Sequence, residues 1–534
     1  MKTKRDILCA FSLILSLGMA AQSQYDAERL IGTELNGTAR FVGMGGAMGA
    51  LGGDISVIGT NPAGIGIYRS NDFSVSFGLN NTATESDFYG TNFKNNKTRW
   101  SFDQVGFVYS NKIGNNTPLR YVNFGFNYKK NKNFNRLFAS GGNPQGLSQT
   151  WQMVSVLENC FDAYGFAEDT WAGMTDKIYT DQNPYMDNQI QYPYLGIMGV
   201  RTDLVGISGI DNLPIGWDSD LHKFTSREEG GIYEYDFNVS FNIEDRYYLG
   251  ITLGAYDVKY KKFSYYTEDI FDEGGNEGYY ELTNWFRTSG SGVDLKFGFI
   301  ARPIEDSPFR VGLAIHTPTW YNLSDFHYAD ITSNIAYMNN GTLGNPERVE
   351  EFTPDYTNDG DIRRDYKLVT PWKFNFSMGT TISNLVALGA EYEYSDYSSA
   401  KLKYDDGYDM EVANYAISED LKGVSTLRLG IETKIAPQFS VRAGYNYSTA
   451  AYKDNAYRSL DWNDTRTDTD YNNTKAKNTF TFGLGYRGTT FYADVAYKYD
   501  NYKSDFYAFD NIDLKAAKVN NSRNQILFTL GAKF

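Results

Sequence analysis

The side chains able to do chemistry are few and scattered. His222, His316 and His327 are the only imidazoles, and none has a nucleophile or metal-ligand neighbour at motif spacing. Cys9 and Cys160 are the only thiols. Cys9 sits at the front of an apolar leader and is expected to leave with it, so Cys160 stands alone, with no intramolecular disulfide framework and no paired-cysteine metal site. Acidic groups crowd two stretches, Asp461, Asn463, Asp464, Asp468 and Asp470, and Asp355, Asn358, Asp359 and Asp361. Solvated loops and weak calcium binding both fit these runs, although neither has the spacing of an EF-hand. There is no phosphate-binding loop for an energy source. The residues therefore point away from an enzyme and imply no cofactor or resident metal. A formal charge of −15 also excludes a nucleic-acid partner, which needs a basic footprint.

Binding is the chemistry that remains. From Tyr194 to Val200, and on through Leu204 to Ile207, the chain is more apolar than an exposed loop requires, so Leu195, Ile197, Met198, Val200 and Leu204 are candidate ligand contacts. The same residues could instead form a small loop core against Trp151, Val154, Leu157 and Phe161, which have partial helical spacing. A second candidate surface lies in the glycine-rich run Gly37 to Asp54, with Phe41, Met44, Met48 and Leu51, followed by Asn61-Pro62-Ala63-Gly64. It is no dinucleotide fingerprint, because Met48 stands where the third glycine belongs. A flexible linker would be polar, so this run is expected to pack as a plug, with its glycines permitting tight turns and close approach. A periplasmic linker is the alternative.

The elements that hold these candidates read as strands. Lys2, Lys4 and Arg5, an apolar run from Ile7 to Met19, and small residues to Ser23 form a secretory leader over 1–23. Beyond it no stretch of 18 apolar residues occurs, so no helix of the mature chain spans a bilayer. Alternation recurs from Phe73 onward, most clearly over Tyr233 to Ile243, and fourteen segments begin near 71, 99, 119, 231, 246, 290, 308, 370, 385, 424, 438, 478, 489 and 522. Their connections alternate between tight turns and long excursions at about 80–98, 131–230, 261–288, 321–368, 397–422, 449–476 and 501–521, as expected of a barrel inserted from the periplasm. One face of the strands carries Val293, Leu295, Phe297, Leu313, Leu388 and Leu429, and should meet lipid. The other carries Asp294, Lys296, His316, Lys373, Glu391, Arg428, Arg442, Asp494 and Lys498, a lumen of mixed charge. The reading is all-β: a transmembrane antiparallel barrel of about 14 strands over 71–534, with a plug over 24–70 and a long extracellular insertion at 131–230. The last strand alternates from Gln525 to a terminal Phe534.

The glycine-rich run with Asn61-Pro62-Ala63, the fourteen strands, Gly290 to Gly298 and Gly312 to Thr319 together resemble the long-chain fatty acid transporter (FadL/TodX) family across essentially the whole mature chain. The resemblance implies that Asn61, Pro62, Ala63 and Gly64 belong to a hatch closing the lumen, and that Phe534 is read by the barrel-assembly machinery. It also implies a multi-pass barrel in the outer membrane of a Gram-negative bacterium, in contact with its lipid. There the protein would carry hydrophobic molecules passively by loop capture, a lumenal pocket, hatch movement and lateral exit. Fatty acids, aromatic hydrocarbons and haem-like molecules would all suit such a route. A surface adhesin or scaffold using its aromatic-rich loops is the alternative. The insertion at 131–230 is longer than the family leads one to expect.

Overall fold

The computed structural model describes residues 22–187, 189–357 and 360–534. The leader lies outside them apart from Gln22 and Ser23, as do Asn358 and Asp359 of the second acidic run. Fourteen antiparallel strands close a barrel: β1 Asp72–Phe88, β2 Thr91–Lys112, β3 Leu119–Asn133, β4 Asp218–Ile243, β5 Tyr247–Phe271, β6 Glu277–Ala301, β7 in two parts (Arg310–His316 and Trp320–Ala336), β8 in two parts (Ile362–Val369 and Lys373–Ile382), β9 Val386–Asp396, β10 Gly423–Ala436, β11 Phe439–Ser448, β12 Tyr471–Arg487, β13 Phe491–Tyr507 and β14 Ala517–Lys533. The first and last strands pair from Asp72↔Lys533 to Asp87↔Lys518, which leaves no sheet edge along that seam.

Side-chain alternation sets the wall's two faces. On β5, Tyr247, Leu249, Ile251 and Leu253 point out while Tyr248, Gly250, Thr252 and Gly254 point in. Leu295, Phe297, Leu313, Leu388 and Leu429 are likewise exposed, and Asp294, Lys296, His316, Glu391, Arg442, Asp494 and Lys498 are buried. An apolar outer face around a polar lumen is the pattern of a transmembrane barrel. Among the described residues no helix is long and apolar enough to cross a membrane.

The tight turns fall where the sequence puts them, and two of them use an unusual backbone. Glu244 and Asp245 have φ of 55° and 57°, and Ser383 and Asn384 have 50° and 54°, the paired positive φ of a two-residue hairpin turn that matches strand twist. At the other end the expected loops prove too long. β1 and β2 continue to a turn at Tyr89-Gly90, and the excursion expected at 261–288 shrinks to residues 272–276. Above the apolar band the outward positions of β2, Asn92, Lys94, Asn96 and Thr98, meet water, so the ladder continues after its apolar signature has ended.

The insertion at 131–230 folds into a roof. It holds a short strand, Arg136–Gly142, paired with β4, and three of the helices numbered here in chain order. These follow α1 Gln24–Ile31 and α2 Ala39–Gly43 as α3 Thr150–Ala163, α4 Trp171–Thr180 and α5 Tyr194–Arg201, and α6 Glu411–Asp420 comes last. β9, β10 and β11 end low, at Asp396, Gly423 and Ser448. Above this low rim the segment 449–470 turns inward and crosses the lumen, where Thr465 O meets His327 Nε2 at 3.0 Å and Asp470 meets Lys262 of β5 at 2.6 Å.

Candidate functional site: a seated plug, a polar cavity and a break in the wall

The glycine-rich run fills the periplasmic half of the lumen. Phe41, Met44, Met48 and Leu51 form one apolar cluster with Ile55, Val57, Ile58 and Ile65. All four candidate ligand contacts of this run are buried in the plug core, and Phe41 also lines the cavity between plug, strap and wall. The Asn61 side chain accepts from Ala63 N at 3.2 Å, capping the 3₁₀ turn Pro62–Ile67, and its amide reaches Phe299 O of β6 at 3.4 Å. Pro62 O accepts from Ser240 Oγ of β4 at 2.8 Å. Arg40 grips Glu432 of β10 with two bonds of 2.9 Å, and Arg442 bridges Glu432 and Asp494.

Wall glycines make this seat. A Cβ at Gly389 would strike Ala47 O, one at Gly430 would strike Met44 O, and one at Gly444 would strike Gly45 N. Gly379, Gly389, Gly430 and Gly444 lie side by side in the ladder of four adjacent strands. Gly250 and Gly298, also paired, take Pro62 and Asn61 in the same way. The plug backbone thus touches the wall directly, which only residues without side chains allow.

Above the plug runs a strap, α1 and residues 32–36, tied upward into the roof. Arg466, itself buried, pairs with Asp26 at 2.7 Å and with Asp468 at 2.8 Å. Burial alone would raise the Asp26 carboxyl, but Arg466 and Arg29 outweigh it and hold the group well below the usual range. Gln24 donates to Asp420 at 2.8 Å, and Glu34 pairs with Arg523 of β14. Between strap and wall lies a cavity of about 390 Å³. Its lining is mixed, with Lys129, Lys132, Lys373 and Lys477 and the carboxylates Glu34, Glu234 and Glu393 set among eleven aromatic side chains, Phe134, Phe138, Tyr260 and Phe506 among them.

The loop candidates go elsewhere. Leu195, Ile197, Met198, Val200 and Leu204 are buried in the roof's own core with Met153, Leu157 and Phe161. α5 lays its apolar residues against α3, the loop core that the partial helical spacing around Trp151 allows, a packing that can coexist with ligand contact. The first acidic run is not solvated either. Burial pushes Asp461 up to about 6 and Asp464 up to about 7, while Asp468 is engaged by Arg466, Arg458 and Lys262. Among the described residues no group of three His, Cys, Asp or Glu side chains is arranged to hold a metal ion. The three histidines are buried singly, His316 against Thr60 O at 2.9 Å and His222 beside Phe88 and Tyr266.

A break in the wall is the feature without a sequence signal. β2 pairs with β3 only from Gln104↔Lys129 to Lys112↔Tyr121. Above that, β3 bulges at Lys130/Lys132, and the following strand Arg136–Gly142 passes inside the barrel, where Thr84 and Ser86 of β1 donate to Leu137 O and Ala139 O. The upper half of β2 therefore has no ladder partner on this side. Side chains bridge the space: Lys97 meets Glu229 of β4 at 3.0 Å, and Arg99 meets the same oxygen. Trp100 and Phe102 flank the break on the outside, 74% and 40% exposed, while Phe134 and Arg136 carry it inward to the cavity lining. Phe534 stands at the opposite end, exposed, its backbone paired with Asn71.

No protein-family model and no curated protein matches the sequence. Solved structures do. Over 94% of this chain and 99% of the other, it superposes on a FadL homologue of Pseudomonas aeruginosa with a TM-score of 0.50 and 12% identity. The toluene transporter TodX of P. putida gives 0.45 and 12%, and the toluene transporter TbuX of Ralstonia pickettii 0.42 and 14%, each again over 94% of this chain and 99% of the other. At such identity the likeness is one of fold.

Proposed function

We propose that the protein is an outer-membrane channel for hydrophobic compounds, which pass from the outer surface into the lumen and leave sideways through the wall. The break beside β2 carries this reading. A pore for small hydrophilic solutes needs an open axis and gains nothing from a gap flanked by Trp100 and Phe102. A compound with an apolar body gains by leaving sideways, because each methylene that passes straight into lipid keeps about 0.8 kcal/mol that water would cost it. The seated plug supports the same route by closing the axis, and the shared fold agrees with it.

The cavity restricts the cargo. A lining that sets lysines and carboxylates beside aromatic rings suits an amphiphile with an apolar body and a polar or acidic end, such as a fatty acid, better than a plain aromatic hydrocarbon. Asn61, Pro62, Ala63 and Gly64 act as part of the hatch that closes the lumen, and Phe534 as the signal for barrel assembly. No step of this route makes or breaks a covalent bond. The alternative of a surface scaffold would have to use the insertion residues that stay exposed, Tyr179, Met186 and Ile210 among them, since Leu195 to Leu204 are enclosed in the roof.

Uptake of labelled long-chain fatty acid by cells that depend on this protein tests the reading. A Lys97→Cys, Glu229→Cys pair should allow uptake when reduced and stop it when oxidised. Undiminished uptake with the pair fully cross-linked would overturn the lateral route.

A further inference from the structure

We propose that the outer mouth of the wall break is a binding site for the phosphate of an outer-leaflet lipid. Three cations converge there on one carboxylate oxygen: Lys97 at 3.0 Å, Arg227 at 2.7 Å, and Arg99. Lys261, exposed on β5, lies directly opposite Glu229 in the ladder. Three positive groups thus share Glu229 as counter-charge, with Lys261 on the neighbouring strand opposite it, on a chain whose overall balance is −15. Lys97 and Arg99 have the strand parity of the inward Ser101 and Asp103, whereas Glu229 has the parity of the outward Tyr233 and Tyr235. The inner face of one strand therefore looks onto the outer face of another, and that can happen only where the wall is parted.

The occupant follows from position and charge. On β2 the cluster begins immediately above Trp100 and Phe102, where the apolar band ends, and a tryptophan 74% exposed at that level is a side chain suited to a membrane's polar boundary. Guanidinium and ammonium groups at headgroup height are the chemistry that holds a phosphate, with Arg227 able to offer two parallel donors. Arg227 already uses both Nε and Nη2 on Glu229, at 2.8 and 2.7 Å. A lipid phosphate, with three acceptor oxygens, would share the cations that now crowd a single one, while its chains continued down the band beside Phe102. The site requires the barrel to sit in a bilayer and does not require the lumen to conduct.

Native mass spectrometry of the full chain in phosphatidylcholine nanodiscs containing a minor share of diphosphorylated lipid A tests it. The wild type should retain lipid A over phosphatidylcholine, and an Arg227→Gln, Lys261→Gln variant should lose about fivefold in retention for each charge removed. The charge-preserving Arg227→Lys, Lys261→Arg variant should keep it. Folding of every variant is checked by heat-modifiable migration, and because transport is not read, failure of the uptake assay leaves this result standing. Equal retention by the glutamine variant overturns the proposal, as does full displacement of the lipid by inorganic phosphate alone, which would mark a site for the free anion.

Discussion

Arg466 shows how much a single buried charge can govern in this molecule. It lies between Asp26 of the strap and Asp468 of the crossing segment, with its guanidinium carbon 4.3 Å from the centre of the Phe286 ring. Replacing it with methionine leaves Asp26 to Arg29 alone and Asp468 to Arg458 and Lys262, and the expected cost is up to about 3 kcal/mol, read as a lower midpoint in thermal unfolding of the folded barrel. Asp461 and Asp464 behave in the opposite way. Raised to about 6 and about 7 by burial, they keep in the fold protons that an unfolded chain releases above about pH 4. Stability of the segment 449–470 should therefore fall as pH rises from about 4 to about 7 and level off beyond. Limited proteolysis at pH 5 and pH 8 checks this, and Asp464→Asn should flatten the difference. Cys160 is buried, and burial pushes its thiol up to about 12, so it should resist maleimide at neutral pH until denaturant opens the roof.

At the scale of elements, the plug is held by shape more than by bonds. Because Gly389 and Gly430 meet the carbonyls of Ala47 and Met44, a Gly389→Ala, Gly430→Ala variant should lift the plug from its seat while the strand ladders survive. The expected readout is a rise in ion conductance in planar bilayers with unchanged circular dichroism. The plug was legible in the sequence as apolar glycine, and the tight turns as breaks in alternation. The wall break was not, because its cause is a turn inward at Lys130 to Arg136, a polar stretch that reads as the start of a loop. The roof helices were half legible: Val154, Leu157 and Phe161 have the spacing, but only packing decides that Leu195 to Leu204 face them instead of a ligand.

For the whole molecule, alternation carried the barrel count, since each strand crosses an apolar band and each crossing leaves its period in the sequence. It could not carry strand length. β5 shows an unbroken run of apolar outward residues only from Tyr247 to Ala255, turns polar at Asp257, Lys259 and Lys261, and runs on past Phe263 to Phe271 with both neighbours still paired. Deleting Phe534 should leave these ladders intact in principle yet lower the yield of heat-modifiable barrel in cells, if the terminal residue serves assembly; equal yields would remove that role.

The extra height of β4 to β6 has a consequence for where the work of transport is done. Residues 257–271 of β5, at about 3.3 Å each and tilted about 40°, lift the roof roughly 35 to 40 Å above the lipid band. The wall break opens at the top of that band. On the lateral route proposed above, a molecule taken in at the roof and let out at the break would travel about the thickness of a bilayer without meeting hydrocarbon. In such a design the barrier removed is the hydrated sugar coat outside the membrane, and the membrane itself is the destination.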